Sequence, residues 1–136
     1  MEFIYRETAD FSKKQARGMT PDLADLTARL IEFRDARDWR QFHGLKNLML
    51  SLNLEAAELL ELAQWKGDAA VEGAAGDPAW RARLAEECAD VLLYLLLIAE
   101  RAGIDLAQAA SDKIDANAAK YPIGKARGNS RKYTEL

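Results

Sequence analysis

Cysteine is almost absent from this chain: Cys88 is the only one in 136 residues, so no intramolecular disulfide can form. That absence fits a reducing, cytoplasmic compartment. Long apolar runs are missing too. The longest, Val91 to Ala99, falls far short of the ~20 residues a membrane-spanning helix needs. The opening MEFIYRETADFSKK mixes acids with apolar residues and carries no cleavage-site pattern, so a secretory signal is not expected. No stretch alternates apolar and polar residues as a strand would. The net charge of −3 argues against a general nucleic-acid binder. A soluble helical protein is left.

What is present fits one domain with one core: 49% hydrophobic and 30% charged residues over 15.2 kDa. Four helices can be read from their end signals. The first opens at Thr20 as N-cap, with Pro21 at the first helical position, and runs to about Asp38. The second spans roughly Leu45 to Trp65. After the Gly- and Ala-rich connection VEGAAGDP, Asp77-Pro78 starts a third helix that Gly103 closes after Ala102. The fourth runs from near Asp105 to Tyr121, where Pro122 cannot continue it. The expectation is an all-α, antiparallel four-helix bundle over 20–122, with an N-terminal arm at 1–19 and a basic tail at 123–136. From Ala116 to Tyr133 the chain has five Lys or Arg residues and no acid. A basic tail near an acidic centre suits a negatively charged ligand bound together with a metal.

Those acids form two matching pairs, Glu55 with Glu58 and Glu87 with Asp90. Each pair is spaced i, i+3, so both side chains leave one helical face. A helical wheel sets Glu55 between Leu48 and Leu62, Glu58 between Ser51 and Trp65, Glu87 between Tyr94 and Ile98, and Asp90 between Leu97 and Arg101. All four therefore fall on bundle-facing stripes, where an isolated carboxylate is costly. If the second and third helices pack antiparallel, the pairs face each other. All-oxygen ligation selects Mg²⁺, with Mn²⁺ or Ca²⁺ as possible substitutes. A di-iron site would need Glu-x-x-His on two helices; the only histidine, His43, lies outside both pairs. Glu61 continues the row of Glu55 and Glu58 but drifts around the wheel, and reads equally well as a surface acid.

Two further groups bear on a ligand. RDWRQFH, residues 37–43, concentrates Trp39, Phe42 and His43 between two helices. Aromatic faces with polar neighbours can hold a nucleobase, or simply plug the bundle end. On the fourth helix Lys113, Asn117 and Lys120 share one stripe, as a phosphate clamp or as a wet surface. The second and third helices are apolar over most of their circumference, more than four short helices can bury, which implies a homodimer or homotetramer.

Taken together these residues resemble the MazG-like all-α nucleoside triphosphate pyrophosphatases, nearest the dCTP pyrophosphatase branch. The family's Glu-x-x-Glu and Glu-x-x-Asp are filled by Glu55, Glu58, Glu87 and Asp90, with 28 residues between the halves. RDWRQFH, the KNL of 46–48, the QWK of 64–66, DVLLYL, KYP and the terminal SRKYTEL add to the likeness, from Leu23 to Leu136. Leu54 replaces a glutamate of the founding pattern, and Leu30 stands where the dCTP branch has a histidine. The resemblance implies cleavage between the α and β phosphates of a nucleoside triphosphate. It also implies Mg²⁺ on the four acids, a base and sugar pocket from Trp39, Phe42, His43, Trp65 and Tyr94, and phosphate contacts from Lys113, Asn117 and Lys120. Glu58 or Glu61 would be the general base. Substrates other than dCTP, such as dUTP or damaged nucleotides, and a non-catalytic metal-binding scaffold stay open as alternatives.

Overall fold

The computed structural model describes residues 20–136, and the expected N-terminal arm lies outside them. Among the described residues the elements are helical: α1 (Leu23–Asp35), a 3₁₀ turn (Trp39–Phe42), α2 (Leu45–Glu61), α3 (Asp68–Ala74), α4 (Pro78–Ala102), α5 (Leu106–Lys120), α6 (Ile123–Ala126) and a second 3₁₀ turn (Tyr133–Glu135). No helix among them is long and apolar enough to cross a membrane.

The ends of α4 and α5 follow the sequence signals. The Asp77 side chain accepts from the Ala79 N–H at 3.1 Å and Pro78 begins α4. Gly103 closes α4 at φ 67°, a left-handed conformation that glycine adopts without a Cβ clash. Asp105 accepts from the Gln108 N–H at 2.9 Å and caps α5.

Three boundaries and one connection differ from expectation. Asp22, not Thr20, caps α1, because Asp25 at the third helical position completes a reciprocal capping box with it. That helix stops at Asp35 rather than Asp38, since Asp38 turns left-handed at φ 54°. Similarly α2 ends at Glu61 rather than Trp65, and Trp65 has φ 68°. The connection read as irregular contains the short α3, whose alanines favour helix despite the nearby glycines.

The core is a seam between α2 and α4, with α1 laid against α4. Leu48, Leu97, Leu96 and Tyr94 are at most 2% exposed and pack with Leu30 of α1. Burying each such leucine contributes ~1.5–3 kcal/mol. Ser51 bonds Tyr94, and the carboxylate of Glu58 lies near that of Glu87. As position rises on α2 the partner's falls on α4, so the two helices run antiparallel. By contrast, α5 is exposed along its length apart from Leu106, which packs against the core. A large apolar surface is left open on α2, including Met49, Leu50, Leu54 and Leu60.

Candidate active site

The antiparallel seam brings the acids together because each pair sits on the stripe that also carries core leucines. Glu55 lies two turns from buried Leu48 and from buried Leu62 on the same stripe and is itself only 8% exposed. Carboxylate oxygens of Glu55, Glu58 and Glu87 all fall within 4.8 Å of one another. Asp90 is outside that tight group, yet it faces the same space: its charge acts on both Glu55 and Glu87.

Electrostatics mark the cluster as unbalanced. Burial, followed by the charges of Asp90, Glu58 and Glu87, raises the Glu55 pKa above its ordinary value. Burial followed by Glu58 and Asp90 does the same for Glu87, and burial followed by Glu58 and Glu86 for Asp90. Oε2 of Glu87 is buried with no hydrogen-bond partner. A buried carboxylate oxygen facing other carboxylates is costly unless a cation or a proton sits between them. The donor set is all oxygen, with no imidazole or thiolate among the three, which fits Mg²⁺ or Mn²⁺. Glu61, the last residue of α2, is exposed and outside the group.

The remaining candidates separate into those near the α2–α4 seam and those away from it. Tyr94 is 2% exposed, hydrogen-bonded with Ser51, and close enough to Glu55 and Asp90 to feel their charges. Trp39 stands edge-on to Phe33 with ring centres 5.7 Å apart, and 6.5 Å from the His43 ring. His43 is buried, whereas Phe42 is 60% exposed. Trp65 is 94% exposed, turned out by its left-handed backbone. Lys113, Asn117 and Lys120 are exposed on α5 and make no hydrogen bond or ion pair with the acids; Lys120 Nζ instead lies 5.3 Å from the Tyr133 ring centre. Within one chain, then, the seam residues gather while Trp65 and the α5 stripe stand apart.

Sequence reasoning missed Ser51, Arg34 and Glu100. The first was visible on the wheel beside Glu58. A signal for Arg34 existed as well, since it follows Leu30 by one turn on the buried stripe of α1. Its partner Glu100 is 66 positions away and had none.

The family model described as the MazG-like family matches residues 50–136, which span both acid pairs and the C-terminal tail. The chain is 46% identical to dCTP pyrophosphatase 1 of Rattus norvegicus over 116 residues, covering 85% of this chain and 68% of that protein. Identity to dCTP pyrophosphatase 1 of Homo sapiens is 47%, over the same shares. The crystal structure of a pyrophosphatase from Archaeoglobus fulgidus superposes with a TM-score of 0.69 at 36% identity, covering 78% of this chain and 97% of that one. Acids on an antiparallel helical seam, the matching family model and these relatives agree: the chain belongs to the MazG-like family.

Proposed function

We propose that this chain is a dCTP pyrophosphatase, hydrolysing dCTP to dCMP and pyrophosphate. The observation that carries the reading is the three-carboxylate cluster on the α2–α4 seam; identity to dCTP pyrophosphatases over most of the chain supports its substrate. Glu55, Glu58, Glu87 and Asp90 hold Mg²⁺, with Mn²⁺ as substitute. When bound, the ion supplies charge neutralisation for the triphosphate and a lower barrier to attack at phosphorus.

The chain's own residues do the rest. A carboxylate committed to the cluster makes a poor base, which favours Glu61, one turn beyond Glu58, as the group that takes the proton from the attacking water. The water oxygen bonds to the α phosphorus as the bond to the α–β bridging oxygen breaks, and pyrophosphate leaves with that oxygen. Tyr94, Trp39, Phe42 and His43 form the base and sugar side, running from the acids toward the start of α2.

Assembly completes the site. The exposed apolar face of α2 and an open apolar hollow of about 360 Å³ lined by Leu59, Val71, Trp80 and Leu84 are covered by further copies, as a homodimer or homotetramer. The same association completes the four-helix bundle around α5 and brings Lys113, Asn117 and Lys120 to the phosphates. Trp65, left 94% exposed by its own chain, reaches a neighbouring copy's base pocket.

Incubation with a panel of deoxynucleoside and nucleoside triphosphates and Mg²⁺, reading monophosphate and pyrophosphate, tests the reading. Preferred turnover of dCTP, lost in Glu61→Gln with Mg²⁺ binding intact, is expected. Another preferred base would overturn the substrate, and no pyrophosphate from any triphosphate would leave a non-catalytic metal-binding scaffold.

A further inference from the structure

Two residues other than glycine adopt a left-handed backbone among the described residues: Asp38, just before Trp39, and Trp65 itself. That conformation costs an L-residue a Cβ clash that glycine escapes, so it persists where neighbouring contacts hold it. Both fall at the tryptophans assigned above to the base, whereas Trp80 lies within the regular helix α4. At Asp38 the holding contacts can be followed one by one.

On a continued α-helix, residues six apart lie ~120° apart around the axis and ~9 Å along it, facing different sides. Trp39 nevertheless packs edge-on to Phe33, with ring centres 5.7 Å apart. The left-handed turn at Asp38, φ 54° and ψ 33°, breaks the helical path and returns the ring to α1. Gln41 clips that turn. Its Nε2 donates to the Asp38 carbonyl oxygen at 3.0 Å and to Asp38 Oδ2 at 2.8 Å, one bond for each hydrogen. The first bond holds the peptide group that leads into Trp39. The second gives the aspartate side chain a use that glycine could not supply.

Arg37 closes the other side. Its guanidinium lies 3.7 Å over the Phe33 ring and 5.9 Å from the Trp39 ring centre, and its Nη1 donates to the Phe33 carbonyl oxygen at 3.0 Å. At the far end of the turn, Asn47 Nδ2 of α2 donates to the Phe42 carbonyl oxygen at 3.3 Å. Asp38 and Gln41 are both exposed, so their bonds contribute little to the stability of the fold. What they fix is the orientation of one ring. A stacking face ordered in advance spares a ligand the cost of ordering it on binding. Between Leu45 and Glu55 α2 rises ~15 Å, so the clip acts at a distance from the acids.

We propose that Gln41 and Asp38 are positioning residues for nucleotide binding: their paired hydrogen bonds hold the left-handed turn that presents Trp39 as a fixed face for the base. The proposal rests on the dCTP reading for its ligand. Both residues act through Trp39 and touch neither the metal nor the phosphates.

The test compares the full-length wild type with Gln41→Leu, Asp38→Gly and Asp38→Asn. Leucine removes both donors at similar size. Glycine adopts the left-handed turn without strain but takes the carboxylate away, which keeps a folded comparison available. Asparagine keeps both the conformation and an acceptor oxygen. The chain has three tryptophans, and Trp39→Phe identifies the Trp39 indole N–H among their NMR signals. In nucleotide-free protein that indole should lose order, read by its ¹⁵N–¹H nuclear Overhauser effect, in Gln41→Leu and Asp38→Gly. KM for dCTP should rise ~fivefold in both, with kcat within ~twofold and melting near that of wild type. Asp38→Asn should behave as wild type does. An unchanged KM in either of the first two variants, or a raised KM with Trp39 as ordered as in wild type, would overturn the proposal. Absence of pyrophosphate release by wild type is a separate result that sinks the substrate reading; the nucleotide-free spectra still decide whether the clip holds Trp39.

Discussion

Replacing Glu55 with glutamine should stabilise the metal-free protein and blunt its response to magnesium. The three clustered carboxylates lie within 4.8 Å, so each like-charge pair repels by ~3 kcal/mol at an effective dielectric near 20 and by under ~1 kcal/mol in bulk water. Glu58 is exposed, which places its pair with Glu55 near the water limit; Glu87 is half-buried and its pair lies between the limits. Glutamine keeps the volume and removes one charge from both pairs. After the cost of burying an incompletely bonded amide, a net gain of ~1–2 kcal/mol is expected without metal. For a domain of this size that is a rise in Tm of ~4–8 °C. Wild type should gain ~2.7 kcal/mol from Mg²⁺ at a hundredfold excess over Kd. The variant, short of one ligand, should gain a small fraction of that. Calorimetry in EDTA and in Mg²⁺ reads both effects, with circular dichroism checking helicity. A variant that melts no higher than wild type in EDTA and keeps the full Mg²⁺ shift would refute the idea that repulsion in this cluster is what the metal relieves.

Two further outcomes follow from the same geometry. Burial and neighbouring carboxylates raise the pKa values of Glu55, Glu87 and Asp90 above their ordinary values, so between the unfolded and folded pKa values the metal-free folded state holds protons that the unfolded state has released. Stability in EDTA should therefore be greatest below about pH 4 as far as these groups are concerned, and fall as pH rises through their folded pKa values. Mg²⁺ affinity should rise over that same window as protons stop competing, and denaturation and binding titrations from pH 4 to 7.5 giving the opposite slopes would contradict both. Trp65→Ala should leave stability within ~0.5 kcal/mol, because the ring is 94% exposed in its own chain, while raising KM for dCTP; steady-state kinetics giving a pure kcat loss would remove Trp65 from the base pocket.

How far the sequence carried depends on whether the deciding interaction was local. Asp77, Gly103 and Asp105 act within a turn of their own position, and the ends they set were legible. The start of α1 was misjudged because two adjacent signals competed. Thr20-Pro21 matched a familiar pattern, but the reciprocal bonds of Asp22 and Asp25 satisfy two backbone donors instead of one. The wheel placed Glu55, Glu58 and Glu87 on converging stripes because helix period is local and both stripes had to meet the same core. It could not give the offset that leaves Asp90 outside the tight group, since that depends on how far α4 slides along α2. Glu100 shows the limit most plainly. On its own helix it reads as a surface acid, and only the packing of α1 across α4 makes it the partner of Arg34. Chemistry set by one helix could be read from residue spacing, whereas chemistry set between helices depended on their register. The acid cluster and the Arg34–Glu100 pair are both products of that register. A shift of α4 by one residue would turn the side chains of Glu87 and Asp90 by ~100° around the helix axis and dissolve the two sites together.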